Sequence, residues 1–389
     1  MKILVCYPHA CYGGGSQYHL YASASELLKS HDVRILLPEP ERFQINVPKY
    51  DWKIPFRVMG SSSTYWPDAK NYVKLSDDEL KMYADALFDS LCETIEHFTP
   101  DIIHCHFMLP SGWAAARAHK KYKIPVVITS HGVDVTVPLS DKRYLSGGKE
   151  ILPEISYITG YSPDHCEWIK EVFGEMASEK VVCIPGGTDT EAYTPDIDTK
   201  EAEKMFSIES KKFVLGVGRF QERKGFHILV DAAKNIKSDI LLVGGGWEME
   251  NLKKQVERLK LTNIRLLGFF GPEKNHLLRQ LYCATAIVVI PSITRGETLC
   301  FVGLEALSSG TPVVASSIGG LPFLLDNGRI GKLVKPGDAN ELSDVINGLM
   351  SSQMERQRIG KLSREYVIKN FTWPIIAEKF TRLFNSLAN

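Results

Sequence analysis

Glu297 and Glu305 stand eight positions apart in the run Glu297-Thr298-Leu299-Cys300-Phe301-Val302-Gly303-Leu304-Glu305. If Thr298 caps a helix that contains Glu305, Glu297 falls just before the helix and Glu305 about two turns in, ~12 Å along the axis. The free amides and positive dipole end between them would suit a phosphate. Carboxylates on either side suit hydroxyl-rich groups, a sugar at one end and a ribose at the other. Glutamate pairs on helices are common, so the pair gains meaning from its place after the strand-like run that ends Val289-Ile290-Pro291-Ser292. A second group is Val217-Gly218-Arg219-Phe220-Gln221-Glu222-Arg223-Lys224-Gly225. Here Arg219 offers a planar fork of donors and Lys224 a compact charge, a combination suited to a diphosphate. Glu222 and Arg223 read as solvated loop charges. A third, Gly13-Gly14-Gly15, lies between a first strand and a helix starting near Ser16, where backbone amides can approach an anion. The same cluster also reads as a plain tight turn.

Other chemistries fit less well. His104-Cys105-His106 looks like a metal cluster, but alternate strand residues face opposite ways, so Cys105 cannot join both histidines on one face. There is no serine nucleophile elbow and no Asp-x-Asp pair for delivering a metal-bound nucleotide. His9, His19, His165 and His227 read as structural or surface residues. Tyr65 and Trp66 lie in an irregular, proline-rich insertion over 39–77 and could stack on an acceptor sugar. Packing beneath the loop is an equal alternative.

The elements that must position these groups are short apolar runs alternating with helical patterns. Strands are expected at Ile3–Tyr7, Val33–Leu37, Ile102–His104, Val126–Thr129, Tyr157–Gly160 and Val181–Ile184. A second set is expected at Phe213–Val217, Ile240–Val243, Ile264–Leu266, Ile287–Ile290, Val313–Ala315 and Gly331–Val334. Between them lie helical segments such as Ser16–Lys29, Asp78–His97, Phe226–Asn235, Met249–Leu259 and Asn340–Met350. The alternation implies α/β layers on parallel sheets, in two domains rather than one wide sheet. The boundary is expected near 186–210, giving domains over 1–188 and 189–370. The final segment 371–389 carries an apolar stripe (Ile375, Ile376, Phe380, Leu383, Phe384 and Leu387) expected to cross back onto the first domain.

With 389 residues the chain can bury two cores. Net charge is zero, with an acidic excess up to residue 190 matched by a basic excess beyond it, a mild preference for a phosphate-rich ligand in the second half. No basic stripe suggests nucleic acid. No apolar run approaches membrane-spanning length, and the opening reads as a strand rather than a signal. The eight cysteines lack regular spacing and read as reduced thiols. A cytoplasmic protein with at most peripheral membrane contact is expected.

The ordered set of motifs resembles the retaining GT-B glycosyltransferases of family four. The matching stretches are Gly13-Gly14-Gly15, His131-Gly132-Val133-Asp134, Ile184-Pro185-Gly186-Gly187-Thr188-Asp189, Arg219 to Gly225, Glu297 to Glu305, and Gly310-Thr311-Pro312-Val313-Val314-Ala315, which span nearly the whole chain. The resemblance implies two Rossmann-like domains facing across a cleft. It also implies transfer of a sugar, with retention, from a nucleotide diphosphate sugar to a glycan, glycolipid or small-molecule acceptor, in polysaccharide, lipopolysaccharide or glycolipid synthesis. It makes Arg219 and Lys224 the diphosphate clamp, Glu305 the ribose ligand, and Glu297 and His131 neighbours of the donor sugar. It places the amides of Leu299, Cys300 and Phe301 at the phosphate, Phe269 beside the base, and Gly14, Gly15 and Gly218 in the donor-binding turns. No metal or other cofactor is expected. The sequence departs from the family pattern at Thr298, Leu299 and Cys300, at Gly186 and at Phe323, so the resemblance does not specify the donor sugar.

Three other readings compete. A nucleotide-sugar epimerase would convert donor alone, whereas a transferase needs an acceptor. A non-catalytic nucleotide-sugar-binding module would show no turnover. A nicotinamide dehydrogenase is the weakest, because the first glycine turn lacks the G-x-G-x-x-G spacing.

Overall fold

The computed structural model describes residues 1–9, 14–43, 45–59 and 68–387. Tyr65, Trp66 and Gly13 lie outside the described residues. The chain divides into two compact units. The first comprises Met1–Gly186 together with Trp373–Asn389, and the second is Gly187–Thr372.

The strands of the first unit are β1 (Lys2–Cys6), β2 (Asp32–Leu37), β3 (Lys49–Asp51), β4 (Val58–Met59), β5 (Lys70–Asn71), β6 (Ile102–His106), β7 (Val126–Thr129), β8 (Tyr157–Gly160) and β9 (Val181–Cys183). Seven of them form a parallel sheet in the order β3-β2-β1-β6-β7-β8-β9, and β4 pairs with β5. The second unit carries β10 (Phe213–Val217), β11 (Asp239–Val243), β12 (Ile264–Gly268), β13 (Ile287–Ile290), β14 (Val313–Ser316) and β15 (Lys332–Val334), ordered β12-β11-β10-β13-β14-β15. All the expected strands are present. The central ones (β6, β7, β13 and β14) are buried along their whole length, as strands with helices on both faces must be. The insertion over 39–77 is more regular than expected. It holds β3, β4 and β5, which at two or three residues are too short to leave a periodic signal.

Strand order reverses once in each sheet, between β1 and β6 and between β10 and β13. At such a point the connections leave the two neighbouring strands for opposite faces and open a crevice at their C-terminal ends, where α/β folds bind ligands. The loop after β10 contains Arg219 and Lys224, and the loop after β13 contains Glu297, so the two motifs meet at the reversal of the second sheet.

The helix Trp373–Asn385 belongs to the first unit. Its buried face (Trp373, Ile376, Ala377, Phe380 and Phe384) follows helical spacing. The Phe380 ring lies 5.0 Å from that of His104, and Phe384 lies 5.4 Å from it. The Trp373 indole N–H donates to the Tyr18 hydroxyl at 3.4 Å, and His31 Nε2 pairs with the Thr381 hydroxyl at 2.9 Å. Phe380 is fully buried, so Phe380→Ala should destabilise the first unit by about 3–5 kcal/mol. Hydrogen-exchange mass spectrometry should show faster exchange in β1, β6 and the helix Gly15–Leu27, with β10 to β15 unchanged. Equal loosening of both units would contradict this assignment.

Candidate active site

In the second unit Lys224 closes a short 3-10 turn (Glu222–Lys224), and Gly225 begins the next helix with φ +69°. A Cβ at Gly225 would fall 1.9 Å from the Pro291 carbonyl oxygen, so glycine lets the loop after β10 press against the loop after β13. That approach brings Lys224 Nζ to 2.5 Å from Glu297 Oε2, and the same oxygen accepts the Ser292 hydroxyl at 2.8 Å. Glu297 is buried. Burial alone would push its carboxyl up, but Lys224, Arg223 and the Ser292 hydroxyl outweigh it and hold the group below its ordinary value. Arg219 is exposed beyond Gly218, whose N–H bonds to the Val243 carbonyl at 3.0 Å. Arg223 has an exposed side chain, as expected of a loop charge, but it also faces this carboxylate.

The helix that carries Glu305 runs over Phe301–Ser308, and its N-cap is Cys300 in an extended conformation. Thr298 is therefore not the cap, and Glu305 lies in the second turn of a helix that starts later than expected. The cause is tertiary. The Glu297 carbonyl accepts the Gly320 N–H at 2.7 Å, its side chain is held by Lys224, and Leu299 and Cys300 turn into the core. The chain stays extended until Phe301. The Leu299 and Cys300 amides thus lead into the helix start, and Phe301 is its first residue. Burial, then the nearby Glu297 carboxylate, push the Cys300 thiol up to about 12, so it is a neutral thiol rather than a nucleophile.

Glu305 is half-buried, and the Tyr282 hydroxyl donates to its Oε2 at 2.8 Å. Burial pushes its carboxyl up to about 7, opposed by the Tyr282 and Tyr193 hydroxyls and by Arg279. The two glutamates of the motif are thus tuned in opposite directions. Phe269, directly after β12, is 58% exposed.

The switch point of the first unit gathers a different chemistry. Gly14 precedes the helix Gly15–Leu27 with φ 127°, a backbone conformation that favours glycine. His131 Nε2 lies 2.9 Å from His106 Nδ1, and its Nδ1 lies 2.9 Å from the Tyr161 hydroxyl. Asp134 secures the loop beneath, accepting from the His131 N–H at 2.6 Å, the Met108 N–H at 2.9 Å and the Ser130 hydroxyl at 3.2 Å. Burial, then the neighbouring histidines, hold His131 well below its ordinary value, so it is a neutral imidazole. His104 and His106 share one face, their rings 5.1 Å apart, while Cys105 turns the other way toward the Ser111 carbonyl, as strand alternation requires. Among the described residues no cluster of three or more His, Cys, Asp or Glu could hold a metal ion. His9, His19 and His165 are buried in the first unit. Tyr282, Tyr193 and Tyr161 carried no local sequence signal, and His106 stood out only as part of the His104-Cys105-His106 run.

Two family models cover most of the chain: glycosyl transferases group 1 over residues 198–366 and glycosyltransferase family 4 over residues 13–192. The chain is a glycosyltransferase of this family. It is similar to a D-inositol 3-phosphate glycosyltransferase of Corynebacterium jeikeium, 28% identical over 81% of this chain and 80% of that one. It is also similar to O-antigen chain mannosyltransferase C of Escherichia coli, 26% identical over 74% of this chain and 76% of that one. The fold matches the crystal structure of Anabaena HepE in complex with UDP, with TM-score 0.79, 21% identity, and 99% and 100% of the two chains covered. Each unit of this glycosyltransferase is Rossmann-like, as in GT-B enzymes. No helix among the described residues is long and apolar enough to cross a membrane.

The Glu305 carboxyl binds its proton more tightly in the folded chain than at its ordinary value of 4.5. Its stabilising contribution is therefore complete below about 4.5 and is lost as pH rises through about 7. Glu305→Gln should leave stability near pH 4 almost unchanged and raise it by roughly 1–2 kcal/mol at pH 8, after discounting for partial exposure. Thermal melts across pH 4–8 check this. An advantage of the glutamine variant that shrinks as pH rises would reject the raised carboxyl.

Proposed function

We propose that this glycosyltransferase binds a nucleoside diphosphate sugar in its second unit and transfers the sugar to an acceptor hydroxyl with retention of configuration and without a metal ion. The observation that carries the reading is the Lys224–Glu297 pair at the β10/β13 reversal, directly before the helix Phe301–Ser308 that bears Glu305. In the donor complex Lys224 and Arg219 meet the diphosphate, and the amides at the start of the helix add the positive end of its dipole. Glu297 then takes the hydroxyls of the donor sugar, Glu305 the ribose, and Phe269 the base. UDP bound to HepE is consistent with a nucleotide of this class. Acceptor recognition is assigned to the first unit, where His131 is a neutral imidazole whose ring nitrogens pair with His106 and Tyr161.

The cations act on the charge that grows on the departing phosphate, a preorganised electrostatic contribution. In this mechanism the phosphate, leaving on the face from which the acceptor approaches, takes the acceptor hydroxyl proton. No carboxylate of the second unit is required as a nucleophile. Polysaccharide, lipopolysaccharide or glycolipid assembly is the proposed setting, in keeping with the E. coli relative, an O-antigen chain mannosyltransferase.

A nucleotide-sugar panel screened by thermal shift, followed by NMR of the product anomeric proton, tests the reading. An inverted product would reject retention, and conversion of donor without acceptor would favour the epimerase. Arg219→Ala is the cleaner mutational test, because Arg219 is exposed. Loss of its charge-assisted contact of about 1.5–3 kcal/mol should lower kcat/KM ten- to a hundredfold with little change in stability. Lys224→Ala should lower turnover and also destabilise the unit by about 3 kcal/mol, because it strands a buried carboxylate. Full activity of the Arg219 variant would remove the clamp assignment. Activity should persist in excess EDTA, since side-chain cations stand where other enzymes place a divalent ion. Loss on chelation, restored by magnesium or manganese, would overturn the metal-independent part.

A further inference from the structure

Glu305 is not left to find its own orientation. Tyr282, on the helix Asn275–Ala284, is fully buried and donates its hydroxyl to Glu305 Oε2 at 2.8 Å. Tyr193 brings a second hydroxyl from the segment before the helix Lys200–Phe206. The two rings meet edge to face with centroids 5.9 Å apart.

Each tyrosine is itself held from behind. The Tyr193 carbonyl accepts from the Ser308 hydroxyl at 2.6 Å and from Arg364 at 3.1 Å, and its N–H bonds to the Asp189 carbonyl at 3.0 Å. The Tyr282 carbonyl accepts the Thr311 hydroxyl at 2.7 Å. The Arg279 guanidinium lies over the Tyr193 ring at 5.6 Å, and its buried Nε has no hydrogen-bond partner. A carboxylate has about four acceptor positions, and two hydroxyl donors leave about two, enough for a vicinal diol. A glutamate with free rotamers would have to be ordered by each incoming nucleotide, at a cost in affinity.

We infer that Tyr282 and Tyr193 are positioning residues that orient the Glu305 carboxylate for the ribose diol of the donor nucleotide. This rests on the proposed reading of Glu305 as the ribose ligand. The groups facing that carboxyl are Tyr282 and Arg279 from the helix Asn275–Ala284, Tyr193 from the segment before Lys200, and Cys300 at the start of its own helix. Arg364, from the helix Gln353–Asn370, binds the Ser308 carbonyl at the end of the Glu305 helix. Burial favours the protonated acid and the tyrosine donors favour the carboxylate. Removing a tyrosine hydroxyl must therefore raise the pH at which the diol ligand becomes available.

Calorimetric titration of the full chain with UDP, GDP, ADP and CDP between pH 6 and 9.5 tests this, following each diphosphate that binds the wild type. Tyr282→Phe should move the midpoint of the affinity loss upward by about one pH unit, with affinity about five- to tenfold weaker at pH 7 and mostly regained at pH 9. Tyr193→Phe should move it the same way, and it carries the test if Tyr282→Phe does not fold. Glu305→Gln should bind weakly with a flat profile. In turnover, both tyrosine variants should raise the donor KM and keep kcat. A wild-type pH profile for both tyrosine variants, with Glu305→Gln weakened, would overturn the inference alone. Wild-type affinity in Glu305→Gln, or no binding of any of the four nucleotides, would overturn the donor reading beneath it.

Discussion

Both units are organised by a reversal of strand order in a parallel sheet. Where neighbouring strands send their connections to opposite faces, the backbone leaves a crevice whose walls are loops rather than helices. In the second unit that crevice is closed to 2.5 Å between Lys224 and Glu297, possible because Gly225 gives way to the Pro291 carbonyl. The ion pair keeps a buried carboxylate charged and holds an ammonium at the β10/β13 reversal. In the first unit the same topology surrounds neutral imidazoles and hydroxyls. His104 and His19 are both pushed down to about 3 by burial, so the interior there carries hydrogen-bonding groups but little charge. One backbone constraint thus serves two different chemistries.

The two glutamates of the central motif make the same point at the scale of a side chain. Glu297 sits among cations and is held below its ordinary value. Glu305 is pushed up to about 7 by burial, against two tyrosine hydroxyls and Arg279. Identical functional groups eight positions apart are differentiated by their neighbours, and the neighbours come from other elements of the fold. A negative group beside a lysine can be released from it by an incoming phosphate. An acid raised to about 7 beside two tyrosine hydroxyls responds to pH near neutrality.

The strands were legible in the sequence because runs such as Val126–Thr129 and Ile287–Ile290 are short, β-branched and bounded by turns. The basic pair and the two glutamates were legible because their chemistry is unusual at strand ends. The helix start was not: Thr298 is a good local cap, but the Gly320 amide and Lys224 hold the preceding residue in an extended path. Tyr282, Tyr193 and Tyr161 were invisible for a related reason. They approach their partners from distant parts of the chain, so nothing in the spacing of the motifs points to them. The short strands β3, β4 and β5 were missed because two or three residues cannot show a period.

The helix Trp373–Asn385 sets a timetable. The second unit is one continuous stretch of chain, whereas the first is interrupted by it and receives the helix Trp373–Asn385 only after the second has been synthesised. Until that helix emerges, His19, His104 and the outer side of the helix Gly15–Leu27 have no apolar cover, however long the first 186 residues have been out of the ribosome. The first unit is therefore completed only after the second, reversing the usual N-to-C order for these two domains.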